Sequence, residues 1–202
     1  MPLPKFDAPF TAKAVPLAME NIDTDMIIPA EFLTSISRDG YGKNLFRRLR
    51  DSRPDFPLSQ PRFAGAGILI AGKNFGCGSS REHAVWALRD AGFQAVVAPS
   101  FADIFASNSG KNGLLLAALE QSAVDRLLAL AADGTLQLTV DLEAQTVAAP
   151  GGLSAKFPCD GFLKHCLQRG LDDMDYLLSH KAEIEAHRRA SRRTQFVAPS
   201  RA

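Results

Sequence analysis

The chain is poor in the residues that staple small folds. Cys77, Cys159 and Cys166 are its only cysteines, and none sits in a C-x-x-C pair. An odd, unpaired set excludes a disulfide framework and the usual zinc-ribbon spacings, and it fits a reducing compartment. Cys159, His165 and Cys166 lie close in sequence, but adjacent helical positions point in different directions, so they read as core thiols rather than a metal site. No uncharged apolar run approaches the roughly 18 residues of a membrane span. Pro, Lys, Asp and Glu break the N-terminal stretch where a secretory signal needs an apolar core. Excess charge is missing too: Lys plus Arg is 23 against 22 for Asp plus Glu, a formal charge of +1. That balance offers no field to gather nucleic acid or anionic lipid, and the arginines of the tail have no interleaved aromatics to form a nucleic-acid groove. The expectation is a cytoplasmic protein with no nucleic-acid and no membrane partner.

What is present is enough for a real core. Hydrophobic residues make up 46% of 202 residues, and a chain of this length hides roughly 70% of its unfolded surface in one domain. Residues 1–202 are therefore expected to form a single domain, with a mobile loop at about 35–65 and a frayed basic tail at about 188–202. The loop expectation rests on Gly40, Gly42, Pro54, Pro57 and Pro61; its arginines, Arg38, Arg47, Arg48, Arg50 and Arg53, read mostly as solvated. Gly67 to Gly72 is a branched apolar run between glycines, the pattern of a strand buried on both faces. A helix is expected from Ser79 or Ser80 to Gly92, a strand at Gln94 to Ala98, a short helix at Ala102 to Ser107, and a strand at Gly113 to Ala118. An amphipathic helix follows at Ser122 to Ala132, then a half-buried strand from Thr135 to Leu142 with a return strand at Thr146 to Ala149. A last helix is expected from Asp173 to about Arg188. The alternation is that of an α/β fold.

The segment Gly72-Lys73-Asn74-Phe75-Gly76-Cys77-Gly78-Ser79-Ser80-Arg81-Glu82-His83 lies between a buried strand and a helix, and it is the place for chemistry. Glycines let backbone approach a ligand closely, and unpaired amides at a helix start suit a carboxylate or phosphate. Arg81 supplies a fork for two-point carboxylate binding. Ser79 followed by Glu82 also satisfies an ordinary capping box, but two glycines, Arg81 and His83 exceed what capping requires. A phosphate loop is excluded because Lys73 precedes the glycines. A serine-hydrolase elbow needs G-x-S-x-G, which is absent.

These residues resemble the swivelling domain of the aconitase superfamily, and the chain resembles the small-subunit family of 3-isopropylmalate dehydratase. The matching segments are Asn21-Ile22-Asp23-Thr24-Asp25 with Ile27-Ile28-Pro29, Phe75 through Ala84, Pro99 through Phe105, Asn112-Gly113-Leu114-Leu115 and Gly170-Leu171-Asp172-Asp173. They occur in order and cover almost the whole chain.

The resemblance implies an aconitase-like swivelling β/β/α domain, a mixed sheet or partly closed barrel flanked by helices. It implies exchange of 2-isopropylmalate and 3-isopropylmalate through isopropylmaleate, in leucine biosynthesis, with a 4Fe-4S cluster. Three scattered cysteines do not supply such a cluster, so it is expected on a large-subunit partner, with no metal on this chain. By the same resemblance Ser79 is the alkoxide base, Ser80 and Gly78 contribute to substrate binding, and Arg81 clamps a substrate carboxylate. Asp25 matches an acidic residue at the site edge, placed to orient Arg81 or another polar group; Asp23 and Thr24 take loop and cap roles rather than direct substrate contact, and His83 supports from the helix. Cys77 departs from aconitase, where an acidic residue stands. Sibling hydro-lyases acting on homoaconitate, citraconate or dimethylmalate share the serine loop, with residues 35–65 carrying the difference. A non-catalytic carboxylate-binding module is the alternative from another class.

Overall fold

The computed structural model describes residues 3–33 and 39–191. Seven strands form one mixed sheet: β1 (Phe10–Leu17), β2 (Ile68–Ala71), β3 (Ala95–Ala98), β4 (Leu115–Ala118), β5 (Gln137–Asp141), β6 (Thr146–Ala149) and β7 (Leu153–Lys156), in the order β4-β3-β2-β1-β5-β6-β7. β1 to β4 run parallel, with Leu69 opposite Val15 and Val96, and Val96 opposite Leu116. β5 lies antiparallel on the other edge of β1 and opens the meander β5-β6-β7.

Helices cover both faces. α1 (Thr24–Ile27), α2 (Arg47–Ser52), α3 (Glu82–Asp90) and α4 (Asp103–Lys111) precede α5 (Gln121–Leu130), α6 (Gly161–Arg169), α7 (Asp173–Ser179) and α8 (Lys181–Ser191). The two-residue period of the strands sorts the core. Leu69, Val96, Val15 and Leu17 pack with Ala84, Leu88 and Phe105 of α3 and α4, whereas Ile68, Ile70, Val97 and Leu138 pack with Val124 and Leu127 of α5. Successive parallel strands joined by crossovers of one hand place α3 and α4 on the same face. The chain then returns through α5 on the opposite face to start the meander.

Several expectations change in detail. β1 is a strand the periodicity does not reveal, because Pro16 interrupts it and only its second half is buried. α6 stands where only Cys159, His165 and Cys166 drew notice; Asp160 caps it through the amides of Phe162 and Leu163, and Gly170 ends it at φ 65°. The expected final helix is two, α7 and α8, and residues 192–202 of the basic tail lie outside the described part. The stretch rich in Gly and Pro is not bare loop where it is described. From residue 39 to 65 it carries α2 and three 3-10 turns, Gly42–Asn44, Pro57–Ser59 and Pro61–Phe63. Proline starts two of those turns, where its missing N–H is no loss. Tyr41, Leu45, Phe46, Phe56 and Phe63 anchor the stretch in the core, and residues 34–38 lie outside the described part.

Candidate active site

Three loops leave the carboxyl ends of parallel neighbours β1, β2 and β3 and converge, the arrangement in which open α/β sheets bind ligands. The second, residues 72–81, is held from below. Gly76 donates its amide to Ile22 O at 2.7 Å, and Thr24 donates its own to Cys77 O at 2.9 Å. Thr24 Oγ1 donates to Ser79 O at 2.8 Å, and the amides of Phe75 and Ala102 bond across to Ser100 O and Phe75 O. Gly76, at φ 79°, is required by space as well as by conformation, since a Cβ there would sit 2.6 Å from Phe105 Cβ.

The loop turns outward before the helix begins. Helix α3 starts at Glu82, and Arg81 precedes it in extended conformation at φ −134° and ψ 100° without a side-chain cap bond. The expected helix start at Ser79 or Ser80 is therefore displaced to Glu82, and both serines lie in the loop that follows the positive-φ glycines Gly76 and Gly78. The Ser79–Glu82 capping box does not form, and Glu82 Oε1 accepts from Asn112 Nδ2 at 2.7 Å instead. Ser79 and Ser80 are exposed. Among the described residues neither hydroxyl, nor the amides of Gly78, Ser79 and Ser80, finds a partner within the chain. Polar groups left free on a loop this well braced suit an external acceptor.

A cleft of about 230 Å³ opens here, lined by Thr24, Gly78, Ser79, Ser80 and Arg81 on one side and by Asp103, Ile104 and Asn108 on the other. Five of the eight residues singled out from sequence thus share one cleft. Asp25 joins them through Arg81, whose NH1 donates to Asp25 Oδ1 at 2.5 Å. Asp25 also accepts from the Ala30 amide at 3.2 Å. The Arg81 hydrogen bond, helped by the Ala30 amide and the charges of Arg81 and Arg48, holds the Asp25 carboxyl below the usual range. Asp23 lies behind the cleft, its Oδ1 capping α1 through the Met26 amide at 2.6 Å. His83 is turned away from the serines into an aromatic group, 5.3 Å from Tyr41 and 4.6 Å from Trp86 between ring centroids.

Two contributions were missed from sequence. The α4 wall is Asp103 and Ile104, at the end of the family-like segment Pro99 to Phe105, with Asn108 one turn beyond it. Arg48, grouped with solvated arginines, donates from NH1 to Asp25 Oδ2 at 2.7 Å, and from Nε and NH2 to Glu31 at 3.2 and 2.5 Å. Its hydrogen bond also lowers the pKa of Glu31.

Residues 10–122 match the Aconitase C-terminal domain family, and residues 125–161 match a second family described as LeuD_N. The chain belongs to the small-subunit family of 3-isopropylmalate dehydratase. It is 50% identical over 182 residues to the 3-isopropylmalate dehydratase small subunit of Francisella tularensis subsp. novicida, covering 90% of this chain and 96% of that one. Identity to the small subunit of the same name from Chloroflexus aurantiacus is 54% over 183 residues, covering 88% and 91%. A solved 3-isopropylmalate dehydratase structure from Methanocaldococcus jannaschii superposes with a TM-score of 0.69 at 27% identity, covering 89% of this chain and 99% of that one. The mixed helix-flanked sheet implied by the aconitase-like motifs is thus the architecture of the family.

The iron–sulfur cluster that the resemblance implies does not fit the donors of this chain. Cys77 stands in the serine loop, while Cys159 and Cys166 belong to the α6 side. Burial raises the pKa of all three thiols, with the charge of Asp23 adding at Cys77, so the thiolate that iron needs is disfavoured at each. Among the described residues no group of three His, Cys, Asp or Glu side chains is placed to hold a metal ion, and no helix is long and apolar enough to cross a membrane.

Proposed function

We propose that this chain is the small subunit of a 3-isopropylmalate dehydratase, active only with a large subunit that carries the 4Fe-4S cluster. The complex would interconvert 2-isopropylmalate and 3-isopropylmalate in leucine biosynthesis, in the cytoplasm, by removing water to form isopropylmaleate and returning it at the neighbouring carbon. The observation that carries this reading is the braced loop whose hydroxyls and amides are left free beside a paired arginine. Dehydration needs a base for a carbon-bound proton and an acid for the departing hydroxyl. A cluster on the partner would supply the second; the residues here suit the first.

Ser79 Oγ takes and returns the carbon-bound proton. A serine hydroxyl is a weak base until its oxyanion is stabilised, and the free amides of Gly78 to Ser80 with the Arg81 charge supply donors fixed in advance. Arg81 uses NH1 for Asp25 and Ile28 O, which leaves Nε and NH2 to bind a substrate carboxylate on two points. Ser80 donates to the same substrate, a small hydroxylated dicarboxylate.

The test is isopropylmaleate absorbance from 3-isopropylmalate, with this chain alone and co-purified anaerobically with an isopropylmalate-type large subunit. Activity only in the mixture supports the proposal. A complex with an intact cluster that is inactive on 3-isopropylmalate but active on citraconate, homoaconitate or dimethylmalate would replace the substrate. Failure of the two chains to associate would sink the subunit assignment.

A further inference from the structure

The dehydratase reading assigns Arg81 to the substrate carboxylate, and what holds Arg81 is a longer array than the motif shows. Four charges alternate from the cleft outward: Arg81, Asp25, Arg48 and Glu31. Arg81 takes one oxygen of Asp25, Arg48 takes the other, and Glu31 takes Arg48 through two donors. The members come from four separate pieces of chain: the serine loop, α1, α2 and the turn at Ala30–Phe32. The inner pair is the less exposed, 20% at Arg81 and 37% at Asp25 against 54% at Arg48 and 49% at Glu31. The neighbouring arginines are not built in this way. Arg47 pairs with Asp51 in its own helix, and Arg53 donates to Met19 Sδ at 3.8 Å.

A carboxylate bound at one oxygen can still rotate about its last bond, and an arginine bound to it moves as well. Holding the second oxygen removes that freedom, and a guanidinium fixed by a facing carboxylate is a rigid second holder. We propose that Arg48 is a positioning residue of the dehydratase site, fixing Asp25 so that the open edge of Arg81 faces the substrate carboxylate, and that Glu31 in turn orients Arg48. This rests on the function proposed above and extends it to two residues outside the cleft.

The experiment uses the anaerobic complex with the large subunit and measures kcat and KM for 3-isopropylmalate in Arg48→Gln, Arg48→Lys and Glu31→Gln. Melting temperature and co-elution with the partner are followed to show that each variant is folded and assembled. Partly exposed pairs are individually weak, but a misplaced reacting group is costly, so Arg48→Gln is expected to lower kcat/KM by about three- to tenfold. Arg48→Lys keeps the charge but cannot fork two carboxylates, and recovers only part of that loss. Glu31→Gln decides between positioning and plain charge. Removing a negative charge near a dianion site lowers KM if charge alone matters; positioning predicts a fall in kcat/KM instead. Wild-type kinetics in Arg48→Gln, or a lowered KM in Glu31→Gln, overturns the inference. Should the Ser79→Ala complex be as active as wild type, the dehydratase site itself is misplaced, which is a separate failure that removes this inference with it.

Discussion

The sheet is two halves with different work. In the parallel half, β1 to β4, every connection is a crossover, so long loops gather at the carboxyl ends of the strands. Gly76, Ser79, Arg81, Thr24 and the α4 wall all come from there. In the antiparallel half, β5 to β7, consecutive strands join through short turns, residues 142–145 and 150–152, and little chain is left over to build a site. The site half spends residues on free hydroxyls and on a glycine, Gly76, pressed against Phe105, which packing alone would not select. The meander half is alternation and burial. Connection length decides where chemistry collects on this sheet.

Substitutions should separate the halves, beginning with glycine. Gly76→Ala puts a methyl group into Phe105 and onto backbone at φ 79°, and is expected to cost more than about 3 kcal/mol or to prevent assembly. Gly151→Ala at the β6–β7 turn meets nothing within 4 Å at φ 85°, and its cost is expected near 1 kcal/mol. Denaturant melts of the two read the difference, and equal losses would erase it. Leu127→Ala, under the opposite face and 0% exposed, is expected to remove about 2–5 kcal/mol of stability while leaving kcat/KM of the assembled complex unchanged well below its melting point. Arg81→Lys reverses that pattern: stability within about 1 kcal/mol and kcat/KM lowered by about tenfold or more, since a lysine cannot hold Asp25 and a substrate carboxylate in one plane.

The smallest effect is electrostatic. The folded pKa of Asp25 lies below its unfolded value, so its pairing contributes fully at neutral pH and is lost as pH falls through the ordinary carboxylate range to the depressed folded value. With Asp25 37% exposed, screening keeps the contribution under about 1 kcal/mol. The melting temperature of Asp25→Asn is expected slightly below wild type at pH 7, with the gap closing in acid. A gap that widens in acid would contradict the sign.

Legibility in the sequence follows the same division. β2 and β3 were readable as short apolar runs buried throughout, and α5 and the β5–β6 hairpin because their apolar residues recur with the period of their element. β1 was hidden by Pro16, and β7 by its brevity and polarity in Leu-Ser-Ala-Lys. Segment 39–65 looked unstructured because its glycines and prolines mark turns, while the aromatics that anchor it are spaced too irregularly for any period. At the site, the loop that turned out to line the cleft was legible from the resemblance and from its glycines, serines and arginine. The helix start was misplaced because serine is a strong capping residue, and here the serines are kept free of that role. Arg48 could not be read at all: its partners are 23 and 17 residues away, and a surface arginine is usually solvated.

The most direct test of the split-site account is the anaerobic complex bearing Ser79→Ala, followed by isopropylmaleate absorbance and by exchange of the substrate's carbon-bound hydrogen with deuterated solvent. The account predicts a complex that assembles and melts like wild type, with both signals reduced by about a hundredfold or more. Wild-type exchange and turnover in that complex would contradict it.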